Sequence, residues 1–199
     1  MAAVLGTAFG VLITGAFHED GLADVFDGLG GTQDRNRALI IMKDSRVGAF
    51  GAIAVVLALL VKVALLALLG SVSGALLCTG LFLAHVVSRT WPLLLIRLMP
   101  HVGDVAGSKS KPLADQISVA SLVAAFVWTS MALALVVYLY GQPMSLFAPL
   151  ATALLASGLV FVLMWRWFWR RLQGFTGDCL GTTQQLCELA FYLGLALGV

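Results

Sequence analysis

Four carboxylates lie within nine residues of one another near the start of the chain: Glu19, Asp20, Asp24 and Asp27. A group of acids without a compensating cation repels itself, so some of its members take up protons or bind a cation. If the segment is helical, Asp20, Asp24 and Asp27 share an arc of about 60°. Mg²⁺ is a hard cation that favours a few carboxylates together with substrate phosphate oxygens. The spacing therefore predicts a metal site on these three aspartates.

Four cationic side chains follow the acids: Arg35, Arg37, Lys43 and Arg46. Guanidinium and ammonium groups are typical ligands of phosphate oxygens. Acids followed by cations indicate a site where a metal ion and a phosphate-bearing substrate meet. The alternative is a solvated loop, because charged stretches between apolar segments are usually just that. The helical spacing of the acids, and the small residues among them, favour a binding site.

The sequence around these residues resembles the signature of a known family. TGAFHEDGLADVFDGLGG and RNRALIIMKDSRVGAFG are followed by HVVSRTWPLLLIRLMP and, near the end, by GFTGDCLGTTQQLCELA. In this order they are similar to the cobalamin synthases, membrane enzymes also called adenosylcobinamide-GDP ribazoletransferases. The resemblance covers nearly the whole chain. It implies a transferase of phosphorus-containing groups that joins adenosylcobinamide-GDP to α-ribazole, or to α-ribazole 5′-phosphate, with release of GMP, late in cobalamin biosynthesis.

The resemblance also implies roles for individual residues. A ribose hydroxyl of the acceptor attacks phosphorus, Mg²⁺ on the aspartates neutralises the diphosphate, and the four cations hold its oxygens. Three groups are candidates to take the hydroxyl proton, and the sequence does not rank them: His18, Glu19 and Asp178. Asp178 is a candidate because its context, GFTGDCLG, is similar to the family pattern. Family members have further apolar sequence before HEDGLAD, so the amino end of the single domain 1–199 is expected to be short.

The rest of the chain is strongly apolar. Hydrophobic residues make up 60% of the sequence and charged residues 11%, and the mean hydropathy is +0.99. These values exclude an ordinary soluble domain. We predict an all-α, polytopic membrane helix bundle with about six apolar segments. They are 1–17, 47–69, 75–99, 117–140, 146–165 and 184–199, and the first and last are short for a full span.

The charges are placed unevenly between these segments. The connections 18–46, 97–116 and 166–183 hold nineteen of the 22 charged side chains, whereas 70–74 and 141–145 hold none. If each segment crosses once, the charged connections emerge on one face, and their Lys and Arg assign that face to the cytoplasm. We therefore predict a multi-pass protein of the cell (inner) membrane with a cytoplasmic active face. A net charge of +2 offers no large basic surface to nucleic acid.

Three ionisable residues fall within apolar stretches: Lys62, Arg89 and Glu188. Such residues cost about 2.5–3.5 kcal/mol each on insertion scales, which indicates function or pairing. His85 and Arg89 are i, i+4 neighbours and are candidates for binding substrate phosphate. The alternative is that Arg89 pairs with Glu188 inside the bundle. Lys62 is expected to be structural, with its ammonium group reaching towards the membrane surface.

Several other features have competing interpretations. Lys109 and Lys111 either hold a phosphate or fix the topology of their loop. Trp165, Trp167 and Trp169, with neighbouring arginines, favour an interfacial anchor over a stacking site for a nucleobase. The three cysteines are far apart and show no CxxC motif, which predicts neither a disulfide framework nor a zinc site.

Two other protein classes are alternatives to the cobalamin synthases. CDP-alcohol phosphatidyltransferases also set helical aspartates at a membrane surface, but their pattern has Arg after the Ala of DGxxAR and a later DxxxD. Here Asp24 follows Ala23, and the sequence has no later DxxxD. A membrane transporter would place ionisable groups near the bilayer midplane and broken helices in repeated halves. In this chain most of the charge falls between the apolar segments.

Overall fold

The computed structural model describes residues 1–103, 117–140 and 143–199, so Lys109, Lys111 and residues 141–142 lie outside the described residues. Within the described ranges the only strand-like pairing is an isolated bridge between His101 and Phe175. Helix accounts for 84% of the residues that the structure describes, which confirms the all-α prediction. The helices are α1 (Ala2–Ile13), α2 (Phe17–Gly31), α3 (Arg35–Ile41), α4 (Ala49–Val72), α5 (Gly74–Leu98), α6 (Val119–Tyr140), α7 (Pro143–Leu172) and α8 (Gly177–Leu197).

Four helices are long and apolar enough to cross a membrane: α4, α5, α6 and, from Leu146 onward, α7. They correspond to four of the six predicted segments, and they expose large apolar side chains such as Leu60, Trp128 and Leu155. A helix satisfies its own backbone hydrogen bonds, so its apolar side chains can face lipid. α1 and α2 meet the same criteria only as a pair, bent by 86°, which would make a fifth, broken or re-entrant element.

The bend between α1 and α2 depends on two residues with left-handed backbone conformations. Gly15 has φ 61° and Ala16 has φ 58°. Glycine adopts this conformation without steric penalty, whereas for alanine it costs about 1–2 kcal/mol. The turn directs α2 away from α1 and places His18 and Glu19 in the first turn of α2.

α8 is the central helix of the bundle and packs against α2, α4, α5 and α7. Its predicted apolar segment, 184–199, is only part of the helix, because α8 begins at Gly177 and includes a run of buried polar residues. α8 does not meet the hydropathy criterion for a membrane span. Several of these polar side chains donate hydrogen bonds to groups of α2 and α5, which makes their burial tolerable.

Two hydrophobic cores pack along α8. One contains Phe191, Tyr192 and Leu195 with leucines of α4 and α5. The other contains Phe168 of α7 and Phe175 with residues of α2, α3 and α5. All three cysteines are free, as the sequence predicts, and two of them are buried in α8.

The described parts of the three charged connections meet at one end of the bundle. Arg35 donates a hydrogen bond from Nε to the carbonyl oxygen of Leu172, at 2.6 Å. Arg171 donates to carbonyl oxygens at the end of α2. The amide of Val102 donates to the carbonyl oxygen of Phe175, at 2.9 Å. These bonds bring together the end of α2, the start of α3, the residues after α5 and the α7–α8 turn.

Candidate active site

α2 and α8 are in close contact where Gly21 faces the backbone of Asp178. A Cβ atom on Gly21 would lie 2.9 Å from the carbonyl oxygen of Asp178 and 3.0 Å from its Cα. Further along the same contact, a Cβ on Gly181 would lie 3.3 Å from the Cα of His18. The two glycines therefore let α8 lie against α2, and they bring Asp178 to the aspartates of α2.

Asp20, Asp24 and Asp178 form an acidic group at the charged end of the bundle. Burial, and next the negative charges of Asp178, Asp20 and Asp27, raise the pKa of Asp24 to about 7. Asp24 is half-buried in α2, which is not one of the four span-length helices. Burial also raises the pKa of Asp178, and the charge of Asp20 adds to this effect. Asp178, assigned from sequence only through its context, thus belongs with the aspartates of α2.

Asp27 has a second role that the sequence did not indicate. Its Oδ2 accepts a hydrogen bond from the amide of Gly48, at 2.7 Å, and its Oδ1 accepts one from the amide of Gly51, at 2.8 Å. These amides belong to the N-cap residue Gly48 and to the first turn of α4, where backbone N–H groups have no partner within the helix. Asp27 therefore caps α4 and fixes it to α2.

The predicted metal ligands are not assembled into a closed site. Among the residues that the structure describes, no set of three or more His, Cys, Asp or Glu side chains is arranged to hold a metal ion. The donor chemistry nevertheless fits a hard cation, because like charges disfavour the ionised form of Asp24 and a cation would relieve that repulsion. Mg²⁺ requires only one or two protein carboxylates where substrate phosphates supply other oxygens.

His18 and Glu19 line a cavity of about 800 Å³ beside the start of α2. Burial, and next the positive charge of Arg89, lower the pKa of His18, so its imidazole is neutral near neutral pH. Glu19 is only 8% exposed. Its Oε1 accepts a hydrogen bond from Nε2 of Gln185, at 2.7 Å, whereas its Oε2 has no hydrogen-bond partner among the described residues.

His85 and Arg89 line the same cavity from α5. Arg89 donates from NH1 to the carbonyl oxygen of His85, at 3.1 Å, and the same nitrogen lies 3.0 Å from Nδ1 of that ring. The expected alternative, an ion pair between Arg89 and Glu188, is wrong, because Glu188 pairs with Lys62 at 2.6 Å. Lys62 is 6% exposed, so its ammonium group points into the bundle and not towards the membrane surface.

The four predicted phosphate ligands have different surroundings. Arg35 donates to the carbonyl oxygen of Leu172, the last residue of α7, and this bond connects α3 with α7. Arg46 forms an exposed ion pair with Asp44, at 2.6 Å, and its hydrogen bonds lower the pKa of Asp44 to about 2. Arg37 and Lys43 have exposed side chains at the same end of the bundle. Three of the four cations, Arg37, Lys43 and Arg46, are therefore exposed, whereas Arg35 is half-buried.

Polar residues of α8 complete the site, and their role was not predicted from the sequence. Thr182 donates from its hydroxyl to the carbonyl oxygen of Gly21, at 2.9 Å. Gln185 holds Glu19, and Gln184 donates to Glu188 at 2.6 Å. The run TTQQ carries a signal for these roles, because buried polar side chains in an apolar helix need hydrogen-bond partners.

The aromatic and basic end of α7 forms a separate, smaller cleft. Trp165, Arg166, Trp169 and Arg170 line a space of about 230 Å³. Both interpretations of this segment, interfacial anchor and nucleobase site, stay predictions.

Comparison with known proteins assigns the chain to one family. The family model described as CobS, cobalamin-5-phosphate synthase, matches residues 1–196. A protein of Albidiferax ferrireducens named adenosylcobinamide-GDP ribazoletransferase is 68% identical over 208 residues, which cover 100% of this chain and 74% of the relative. Proteins with the same name from Polaromonas sp. and Leptothrix cholodnii are 59% and 47% identical, again across 100% of this chain and 73% and 74% of theirs. No solved structure shows a significant match. The matches confirm the resemblance found in the sequence.

Proposed function

The chain belongs to the CobS family of cobalamin-5-phosphate synthases, and on that premise we propose that it joins adenosylcobinamide-GDP to α-ribazole or α-ribazole 5′-phosphate. The products are adenosylcobalamin, or its 5′-phosphate, and GMP. The observation that carries the proposal is the acidic group of Asp20, Asp24 and Asp178, which comes from two helices and lies at the charged end of the bundle. Phosphoryl transfer depends mainly on positioning and charge neutralisation, and both are available there.

Asp20 and Asp24 hold Mg²⁺ in this proposal. Asp27 is a third candidate ligand, because each carboxylate oxygen that caps α4 keeps a second lone pair. A bound Mg²⁺ supplies positive charge against the diphosphate and the leaving GMP. Arg37 and Lys43 hold phosphate oxygens of the donor, with Arg35 and Arg46 as further candidates beside them.

The reaction forms one bond to phosphorus and breaks another. The oxygen of a ribose hydroxyl attacks the phosphorus on the cobinamide side, the bond from that phosphorus to GMP breaks, and the hydroxyl proton passes to a base. We assign the proton to Asp178, whose raised pKa makes it a better base than an ordinary carboxylate. His18 and Glu19 position the acceptor from the neighbouring cavity.

We place the charged end of the bundle on the cytoplasmic side of the cell membrane. Support comes from the Lys and Arg residues gathered at this end. In a Cys78→Ser background, Ser71→Cys should react with an impermeant thiol reagent applied outside the cell, whereas Gln33→Cys should not. Labelling of Gln33→Cys alone would reverse the orientation.

The test of the function is GMP release by the purified chain in detergent or lipid nanodiscs. We expect release that requires adenosylcobinamide-GDP, α-ribazole and Mg²⁺ together. Asp178→Asn should lose most turnover while it accumulates normally in the membrane. Absence of GMP release from the wild-type chain with all three present would contradict the proposed reaction. Full activity in excess chelator would contradict its dependence on Mg²⁺.

A further inference from the structure

The cavity beside the start of α2 has mostly apolar walls. α1 and α5 provide Phe9, Ile13, Leu81 and Phe82. Two glycines of α1, Gly6 and Gly10, leave the space open, because a Cβ on either would meet no atom within 4 Å. A volume of about 800 Å³ is in the usual range for sites that enclose a small organic molecule.

Two residues that line the cavity, Glu19 and Gln184, each have a buried side-chain oxygen without a hydrogen-bond donor in the described ranges. Glu19 Oε2 has no partner among the described residues, and neither has Oε1 of Gln184, a residue that is only 2% exposed. Leaving a buried acceptor unpaired costs free energy, so such atoms are rare in folded proteins unless a ligand or water completes them. A ligand that fills this cavity should therefore combine an apolar body with hydrogen-bond donors at one end.

We infer that this cavity binds the acceptor nucleoside, with its base against α1 and α5 and its ribose hydroxyls donating to Glu19 and Gln184. The inference rests on the proposed function, which supplies α-ribazole as the acceptor. The benzimidazole base of α-ribazole is planar and apolar and has no N–H group, whereas its ribose provides hydroxyl donors. Guanosine fits less well, because its base would set N–H and carbonyl groups against the apolar walls.

The position of the cavity agrees with this assignment. Gln185, which holds Glu19, follows Asp178 by seven residues of α8, about 10 Å along the helix axis. A nucleoside is long enough to extend across much of that distance. Its base can therefore occupy the cavity while the ribose points towards the acidic group, where the donor diphosphate is proposed to bind.

Filling the cavity tests the inference by kinetics. Gly10→Leu places a side chain in the open space, and we expect the KM for α-ribazole to rise at least about tenfold. The KM for adenosylcobinamide-GDP should stay the same, as should kcat at saturating α-ribazole. Gly74→Leu is the matched control, because Gly74 also has open space around its Cβ position but does not line the cavity.

Cys78 provides a measurement that does not depend on turnover. It lines the cavity and is exposed, whereas Cys179 and Cys187 are buried. α-Ribazole alone, without corrinoid or metal, should slow the alkylation of Cys78 by N-ethylmaleimide in the wild-type chain. Guanosine at the same concentration should not, and Gly10→Leu should lose the protection by α-ribazole.

The two measurements separate this inference from the proposed function. GMP release by the wild-type chain without protection of Cys78, and with a normal KM for α-ribazole in Gly10→Leu, would overturn the cavity assignment and leave the function intact. Protection of Cys78 without GMP release would support nucleoside binding and contradict the proposed reaction. If Gly10→Leu does not accumulate, protection in the wild-type chain still decides the matter.

Discussion

Gly21 of α2 lies against the backbone of Asp178 of α8, so closely that a Cβ on the glycine would come within 2.9 Å of the aspartate carbonyl oxygen. The atoms in the way are main-chain atoms, which cannot rotate aside as a flexible side chain can. The distance between the aspartates of α2 and Asp178 therefore depends on the absence of a side chain at residue 21.

Gly21→Ala should separate α2 from α8 and move Asp178 away from Asp24. Because small displacements of catalytic groups are costly, we expect turnover to fall by about tenfold or more. The measurement is GMP release under saturating substrates. Gly177→Ala is the control, since Gly177 adjoins Asp178 in sequence but has open space at its Cβ position. Equal activity in the two variants would show that the close contact does not set the geometry of the site.

The sequence was sufficient for the helical class and for the four span-length helices, because long apolar runs leave few alternatives to a membrane helix. It also placed Asp20 and Asp24 together, since helical spacing sets neighbours within one element. It did not predict that Asp27 caps α4 or that Gln185 holds Glu19. Those contacts join residues 21 to 166 positions apart, and local periodicity carries no information about such pairs.

The error at Glu188 has a similar cause. Arg89 and Lys62 are both cations in apolar segments, and the sequence offers no means to choose which one faces the buried acid. In the folded protein Lys62 of α4 points into the bundle, and its Nζ lies 2.6 Å from Oε1 of Glu188. Arg89 instead bonds within its own helix, to His85.

Asp24→Asn and Asp27→Asn should have different effects, although the two residues are three positions apart. Asn at residue 24 removes a carboxylate from a repulsive group, so we expect stability within about 0.5 kcal/mol of wild type and a large loss of turnover. Asn at residue 27 replaces one acceptor of the α4 cap by an NH₂ group, and should cost about 1 kcal/mol of stability. Thermal unfolding in detergent and GMP release measure the two effects separately.

Magnesium titration provides the control for this pair. Excess Mg²⁺ should partly restore Asp24→Asn if the lost ligand mainly weakens metal binding. It should not restore the lowered unfolding temperature of Asp27→Asn. Normal turnover in Asp24→Asn would show that Asp24 is neither a required metal ligand nor a catalytic group.

The dependence of metal binding on pH follows from the pKa of Asp24, which is about 7 in the folded protein. Below that value the carboxyl group holds a proton that Mg²⁺ must displace, so the Mg²⁺ concentration for half-maximal activity should rise as the pH falls from about 8 to about 6. In the absence of metal, the raised pKa of Asp24 also makes the free energy of unfolding depend on pH. Here a higher pH is unfavourable, whereas for metal binding it is favourable. The unfolded state ionises near the ordinary carboxyl pKa, so stability should decrease as the pH rises towards 7.

Asp24→Asn should flatten both pH profiles, because the titrating group is gone. Asp34→Asn is a suitable comparison, since Asp34 is an exposed acid outside the acidic group. A wild-type half-maximal Mg²⁺ concentration that does not change across this pH range would contradict the assignment of Asp24 as a ligand.

Lys62 and Glu188 form a buried ion pair whose members should be far more costly to remove singly than together. Lys62→Met leaves Glu188 charged among apolar helices, and Glu188→Gln leaves the ammonium group of Lys62 in the same state. Each change should cost about 3–5 kcal/mol, whereas the double variant should recover most of the loss.

Thermal unfolding of the detergent-solubilised protein measures these losses of stability, with the exposed Lys43→Met as the control for loss of a lysine. Tyr192 donates to Oε1 of Glu188 and Gln184 donates to Oε2. Glu188→Gln therefore keeps an acceptor for only one of these donors, and this loss is common to the single and the double variant. If the double variant is as unstable as the two single losses combined, the ion pair is not the reason that these charges lie inside the bundle.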